Sequence, residues 1–262
     1  DAKLNPKKKV YIAIVGKYVD LKDSYKSLNE ALDHAGIKNL AKVEITMIDA
    51  AKITKANVSK ILKKYQAVLI PGGFGSRGIE GMITACKYAR ENKLPYFGIC
   101  LGMQIAIIEF SRNVLGLNNA NSTEFNNKTK YPVIGLVTEW KDASGKIEHR
   151  TENSNLGGTM RLGGQKCLIK KSSLSYKLYK KLTITERHRH RYEVNPEFKK
   201  DLISGGMDIV GTSLDGNLAE MIEIKKHPWF IGCQFHPEFT SNPRDGHPLF
   251  NDFIAKAIKI KR

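Results

Sequence analysis

Four cysteines in 262 residues, none of them in a C-x-x-C pair, argue against a disulfide framework, a zinc site or thioredoxin-like chemistry. No apolar run approaches the ~20 residues needed to cross a bilayer. Lys7-Lys8-Lys9 before Val10 to Val15 imitates a signal peptide, but the apolar run ends at Gly16-Lys17 and reads better as a strand. No membrane partner is expected, and the expected location is the cytoplasm. Acidic residues are scarce: 26 Asp and Glu face 43 Lys and Arg, a formal charge of +17. Such a balance fits either a phosphate-rich partner or a solvated lysine surface. The lysines are scattered as KILKK, YKLYKK and FKKD, with no aromatic-basic motif, which favours the surface reading and no nucleic acid. A G-x-x-x-x-G-K-[ST] phosphate loop is absent too.

What is present is globular: 41% hydrophobic and 26% charged residues. The first half alternates apolar runs with helical periodicity. Strands are expected at Val10 to Val15, Val43 to Ile48, Ala67 to Ile70 and Tyr96 to Ile99. Helices are expected around Tyr25, Leu28, Leu32 and Ala35 (opened by Asp23-Ser24 and closed by Gly36), at Val58 to Leu62, from Ile79 to Asn92, and through Met103 to Phe110. This order predicts an α/β fold with a central, mostly parallel sheet flanked by helices. The second half reads as short strands with turns, so antiparallel strands are added there. Asp215-Gly216 marks a hairpin, Trp229 to Phe235 a buried strand and Leu249 to Ile260 a closing helix. The polar, aperiodic stretch from Glu139 to Asn155 reads as a mobile loop.

Gly98-Ile99-Cys100-Leu101-Gly102 has the G-x-nucleophile-x-G form of a strand-to-helix elbow with cysteine as nucleophile. Glycines flank it because side chains there would collide. The following helix aims its dipole and the Leu101 N–H at the sulfur. A buried structural cysteine is the alternative, and the strand–turn–helix context favours the elbow. Cys86, Cys167 and Cys233 lack that context. His236-Pro237-Glu238 follows an apolar strand. If the chain stays extended, residues i and i+2 face one side, so Glu238 can fix the imidazole of His236. His188 and His190 bring a metal to mind, but no third ligand accompanies them and none is expected.

PGGFG (71–75), GICLGMQ (98–104) and CQFHPEF (233–239) resemble the class I, triad-type glutamine amidotransferases. GKYVDLKDSYKSLNEAL (16–32), GGFGSRGIEGMI (72–83), NSTEF (121–125), GGTMRLG (157–163) and ERHRHRYEVNP (186–196) are similar to the glutaminase domains of CTP synthases, over nearly the whole chain. The resemblance implies Cys100 as nucleophile, His236 as base and Glu238 as orienting carboxylate. It implies an oxyanion hole from the Gly73 and Leu101 amides. Glutamine would be bound at Gly73, Leu101, Gly102, Met103, Gln104, Glu124 and Arg191. The polar chemistry agrees, since Glu124 suits the α-ammonium and Arg191 the α-carboxylate. The glutaminase step would need no cofactor.

These enzymes also carry an N-terminal synthetase domain that uses ATP, Mg and UTP, form homo-oligomers (tetramers) and respond to GTP as an allosteric activator. The expectation is one glutaminase domain over 1–262, with the synthetase domain absent from this chain. Phe74 and Arg150 are candidates for a GTP site, and an ordinary surface loop is the rival reading for the segment around Arg150. An amidotransferase of another synthetase, a γ-glutamyl hydrolase and a silent nucleotide-binding module are alternatives. GGTMRLG and RHRHRYE oppose the first two, and the complete triad opposes the third.

Overall fold

Strands of a parallel sheet are covered on both faces, so they need continuous apolar runs. The computed structural model describes residues 5–17, 25–136, 139–141, 147–149 and 160–261. Its first half runs β1 (Lys8–Gly16), α1 (Lys26–Lys38), β2 (Ala41–Asp49), α2 (Val58–Leu62), β3 (Ala67–Ile70), α3 (Ile79–Glu91), β4 (Tyr96–Ile99) and α4 (Leu101–Asn113). Every residue of β3 and β4 is buried. The second half adds β5 (Asn121–Ser122), β6 (Pro132–Leu136), β7 (Glu139–Lys141), β8 (Ile147–His149), β9 (Arg161–Ile169), α5 (Leu174–Tyr179) and β10 (Thr183–His190). It closes with β11 (Tyr192–Val194), α6 (Lys199–Gly205), β12 (Met207–Thr212), β13 (Ala219–Ile224), β14 (Phe230–Cys233) and α7 (Pro248–Ala257).

A nine-stranded sheet has the order β10-β9-β12-β13-β14-β4-β3-β1-β2. From β14 to β2 every pairing is parallel, and from β13 to β10 every pairing is antiparallel. The α/β class and the antiparallel additions are therefore as the alternation predicts. Two apolar layers cover the faces. One gathers Met82, Ile83, Ile105 and Ile108 from α3 and α4. The other gathers Leu28 and Leu32 from α1 with Phe250 and Phe253 from α7 around Phe97 and Trp229. Among the described residues, no helix is long and apolar enough to cross a membrane.

Two local expectations need correction. Gly36 does not end α1, which continues to Lys38. A Cβ at Gly36 would lie 2.7 Å from the Ala41 carbonyl oxygen, so this glycine serves close helix–strand approach. The end is made at Asn39, whose Nδ2 donates to the Ala35 carbonyl at 2.9 Å. Asp23-Ser24, expected to open α1, lie outside the described residues. Within the stretch 139–155, β7 and β8 pair antiparallel with Trp140 opposite Glu148. A two-stranded ribbon requires no apolar alternation, so its sequence reads as loop. β10 alternates exposed and buried positions, with the exposed arginines 187 and 189 between buried Glu186, His188 and His190.

The sheet and α4 approach so closely that a Cβ on Gly102 would lie 2.1 Å from the Ile70 carbonyl oxygen. Backbone on backbone cannot yield without moving β3 or α4. Gly102→Ala should therefore cost about 1–3 kcal/mol, the usual range for overpacking. Thermal unfolding followed by circular dichroism would register this as a lowered Tm, and an unchanged Tm would contradict the contact.

Candidate active site

Cys100 stands where β4 ends and α4 begins. Its φ and ψ are 51° and −102°, a left-handed region that costs a non-glycine residue of order 1–3 kcal/mol. The surroundings hold it there. Its N–H donates to the Cys233 carbonyl at 2.7 Å, and its own carbonyl accepts from Met103 and Gln104 at 3.1 and 3.3 Å. The elbow glycines allow the turn: a Cβ on Gly98 would lie 2.6 Å from the backbone of Gly102. As the first helical residues after the cap, Leu101 and Gly102 have amides with no intrahelical acceptor. Gln234 Nε2 donates to the Cys100 sulfur at 3.7 Å.

β14 lies parallel beside β4, with Gly232 opposite Gly98 and Cys233 opposite Ile99. This register brings the chain just past β14 alongside Cys100. The His236 Nδ1 and Glu238 Oε1 are 2.8 Å apart. The pair does not form by the extended alternation expected from sequence, because Pro237–Phe239 is a turn of 3-10 helix. The turn folds Glu238 back under His236 and stacks the Phe239 ring on the imidazole at 5.4 Å. Glu238 thereby occupies Nδ1, and Nε2 is buried without a hydrogen-bond partner among the described residues. Burial works against a charge on His236, but Cys100 first and Glu238 second outweigh it and raise its pKa to about 10. Gly72 makes room for the ring: a Cβ there would lie 2.7 Å from His236 Cε1 and 3.6 Å from the Cβ of Cys100.

The sequence matches the family description Glutamine amidotransferase class-I over residues 20–256. The fold is similar to the Trypanosoma brucei CTPS glutaminase domain with bound acivicin, at 36% identity and a TM-score of 0.84, covering 97% of this chain and 95% of that one. The chain belongs to the class I glutamine amidotransferases, among the glutaminase domains of CTP synthases. Two remoter structures bear on nothing further. One is a glutamine amidotransferase from Thermotoga maritima, at 10% identity, 96% of each chain and a TM-score of 0.49. The other is a glutamine amido transferase from Methylobacillus flagellatus, at 10% identity, 88% of this chain, 70% of that one and a TM-score of 0.48.

The remaining positions implied by the amidotransferase resemblance are distributed unevenly. Gly73 lies in the loop after β3, next to Gly72. The Leu101 and Met103 side chains are buried in the core, so backbone is what they can offer a ligand. Gln104 is buried, with Nε2 donating to the Tyr192 carbonyl at 3.1 Å and to Gln234 Oε1 at 3.2 Å. The Glu124 carboxylate accepts the Gly75 N–H at 2.8 Å. Arg191 joins β10 to β11, and its Nε is buried without a hydrogen-bond partner among the described residues. Phe74 is half exposed. Arg150 lies outside the described residues.

The two family motifs GGTMRLG and RHRHRYE meet in a buried charge cluster. Arg161 Nη1 bonds Glu193 Oε1 at 2.9 Å and Glu220 Oε1 at 2.7 Å. Burial pushes both carboxyls up, against the pull of Arg161. His188 Nδ1 and His190 Nε2 are 2.8 Å apart, and burial followed by neighbouring positive charge drives both rings far below the usual histidine pKa. Both rings are neutral and lie on the buried face of β10, the strand that leads into Arg191. Among the described residues, no three His, Cys, Asp or Glu side chains gather as metal ligands.

Four residues of the site escaped the sequence reading: Gly72, Gln234, Phe239 and Lys17. Gly72 and Phe239 sit inside motifs that were quoted, next to the residues singled out. Gln234 and Lys17 also lie inside quoted motifs, in CQFHPEF (233–239) and GKYVDLKDSYKSLNEAL (16–32), but their contacts are long-range and local spacing does not show them. Lys17 is 3% exposed, and its ammonium donates to the Phe74 carbonyl at 2.9 Å and to the Gly75 carbonyl.

The raised pKa of His236 has a defined sign. The folded value of about 10 exceeds the ordinary 6.5, so this group's stabilising contribution is complete below about pH 6.5 and is lost as pH rises through about 10. Cys100→Ala removes the larger source of the elevation and Glu238→Gln the smaller. The imidazole titration, followed by NMR, should move down by roughly a unit or more in Cys100→Ala and by less in Glu238→Gln. An unmoved titration in Cys100→Ala would show that the ring does not sense the sulfur.

Proposed function

We propose that the chain hydrolyses glutamine to glutamate and ammonia through a cysteine thioester. The observation that carries this reading is the strained Cys100 beside an imidazole whose Nδ1 is taken by Glu238 and whose Nε2 is left over. The Cys100 thiolate attacks the side-chain amide carbon of glutamine. The Gly73 and Leu101 amides receive the oxyanion. His236, protonated at neutral pH by its raised pKa of about 10, gives its proton to the departing ammonia. The γ-glutamyl thioester then breaks down with water that His236 deprotonates. Glu238 orients the ring and stays ionised.

Substrate recognition follows from charge. Glu124 binds the α-ammonium with carboxylate capacity beyond its bond to Gly75. Arg191, whose buried Nε has no hydrogen-bond partner among the described residues, binds the α-carboxylate. Backbone at Gly73 and from Leu101 to Met103, with buried Gln104, completes the glutamine pocket. The ammonia serves the ATP- and Mg-dependent amination of UTP to CTP on a synthetase partner, in a cytoplasmic homo-oligomer, a tetramer. GTP acts as allosteric activator where the loop carrying Arg150 meets Phe74, whose ring is half exposed beside Gly73.

Cys100→Ala should lower glutamine turnover by at least ~10³-fold, as loss of a nucleophile does. Cys86, Cys167 and Cys233 are fully buried, and burial pushes their thiols well up, so Cys233→Ala should retain most turnover. Glu238→Gln should keep KM and reduce kcat. Ammonia release measured on the purified variants checks all three, and undiminished turnover in Cys100→Ala would reject the mechanism.

In the assembled enzyme, Arg150→Ala should lose GTP stimulation of glutamine-dependent CTP formation while ammonia-dependent synthesis persists. Unchanged stimulation would remove Arg150 from the effector site.

A further inference from the structure

Burying an amine costs free energy unless its hydrogens find acceptors. Lys17, just past the carboxyl end of β1, is almost fully buried, and its ammonium donates to the carbonyls of Phe74 and Gly75. It also lies 5.6 Å over the Phe125 ring. Its backbone N–H donates to the Tyr25 hydroxyl at 3.3 Å, which places the start of the side chain as well. Burial draws the ammonium's pKa down to about 8, Glu124 pulls it up and Arg77 pushes it down.

The loop it touches needs such a tie. Pro71-Gly72-Gly73-Phe74-Gly75 contains three glycines in five residues, and glycine leaves the backbone many orientations. An oxyanion hole works only if its amide already points at the place where charge develops. One peptide plane in this loop is gripped at both ends. Its carbonyl, that of Phe74, accepts from Lys17 at 2.9 Å, and its N–H, that of Gly75, donates to Glu124 at 2.8 Å. The Gly73 N–H belongs to the Gly72–Gly73 peptide, two peptides upstream of that plane.

We propose that Lys17 is a positioning residue for glutamine hydrolysis, holding the Phe74–Gly75 peptide so that the Gly73 amide points at the oxyanion that forms beside Cys100. The inference rests on the assignment of Gly73 to the oxyanion hole and of Glu124 to the substrate ammonium. It adds a link between them. The carboxylate that receives the α-ammonium also holds the far end of the peptide that Lys17 holds, so substrate recognition and oxyanion geometry share one rigid unit.

The test compares two reactions of Cys100 in the purified chain. Glutamine hydrolysis passes through an oxyanion. Alkylation by iodoacetamide is a direct displacement at carbon and forms none. Lys17→Met keeps the length and the apolar stem but removes the charge and the donors. Its kcat should fall at least ~10-fold, in keeping with the ~10²-fold sensitivity of catalysis to small misplacements. Its KM should stay within roughly threefold, and Cys100 alkylation and Tm should stay close to those of the unaltered chain. Lys17→Arg, which restores donors, should recover part of the lost kcat.

Unchanged kcat in Lys17→Met would overturn the proposal. So would parallel losses of kcat, alkylation rate and Tm, which mark a structural role only. If Lys17→Met does not fold, Lys17→Gln decides by the same criteria, and failure of both to fold assigns Lys17 to folding and overturns the proposal. Failure of the underlying reading looks different: the unaltered chain would release no ammonia from glutamine, or would continue to do so after Cys100 is alkylated.

Discussion

The parallel pairing of β14 with β4 is the contact on which the site depends. Cys100 and His236 are 136 positions apart in the chain, and no local interaction can bring them together. The ladder places Cys233 opposite Ile99, and the bond from the Cys100 N–H to the Cys233 carbonyl carries it one residue past the strand end. A slip of one residue would turn the side chains of β14 to the other face of the sheet. Tight packing resists such a slip. Phe97 of β4 meets the ring of Trp229, just before β14, edge-on at 5.6 Å, and Tyr96 stacks on Phe230 at 4.4 Å.

Around that ladder, empty space is as specific as contact. Gly98, Gly102 and Gly72 occupy points where a single methyl would strike backbone or the His236 ring. The tight approach at Gly98 and Gly102 keeps Cys100 in its strained conformation, because relaxing the residue would separate β4 from α4. Strain of this size persists only where the surroundings over-determine it. The elbow is therefore held by the sheet and by α4, whose residues from Leu101 to Ser111 are all buried.

Polar groups inside the antiparallel half form a second framework. Arg161 on β9, Glu193 on β11 and Glu220 on β13 are buried together, and the neutral rings of His188 and His190 extend the cluster along β10. A buried ion cluster is weak evidence for stability, since removing charges from water costs about as much as their attraction returns. Its effect on geometry is firmer. Satisfying Arg161 requires β9, β11 and β13 in one arrangement, and that arrangement delivers Arg191 and the Tyr192 carbonyl to the side of Gln104 and Gln234.

Much of this could be read in the sequence, and the limits have physical causes. The parallel strands, their helices and the turn at Cys100 were legible because each is encoded locally, by apolar runs, helical periodicity and the G-x-C-x-G spacing. The proximity of His236 to Glu238 was legible for the wrong reason: a 3-10 turn at Pro237 makes the pair, where an extended strand was expected. The end of α1 was misplaced because a glycine needed for close approach looks the same as a glycine that stops a helix. The inward face of β10 was hidden because histidine and glutamate read as solvated until a buried arginine faces them. The role of Lys17, inside the motif at 16–32, was hidden because its acceptors are backbone carbonyls 57 and 58 residues away. By itself the sequence determined the elements, the elbow and the chemical character of the site residues, all of which rest on neighbours within a few positions. The tertiary structure alone decided the order and register of the strands. It therefore also decided which distant polar groups meet, because those contacts exist only once the sheet has closed.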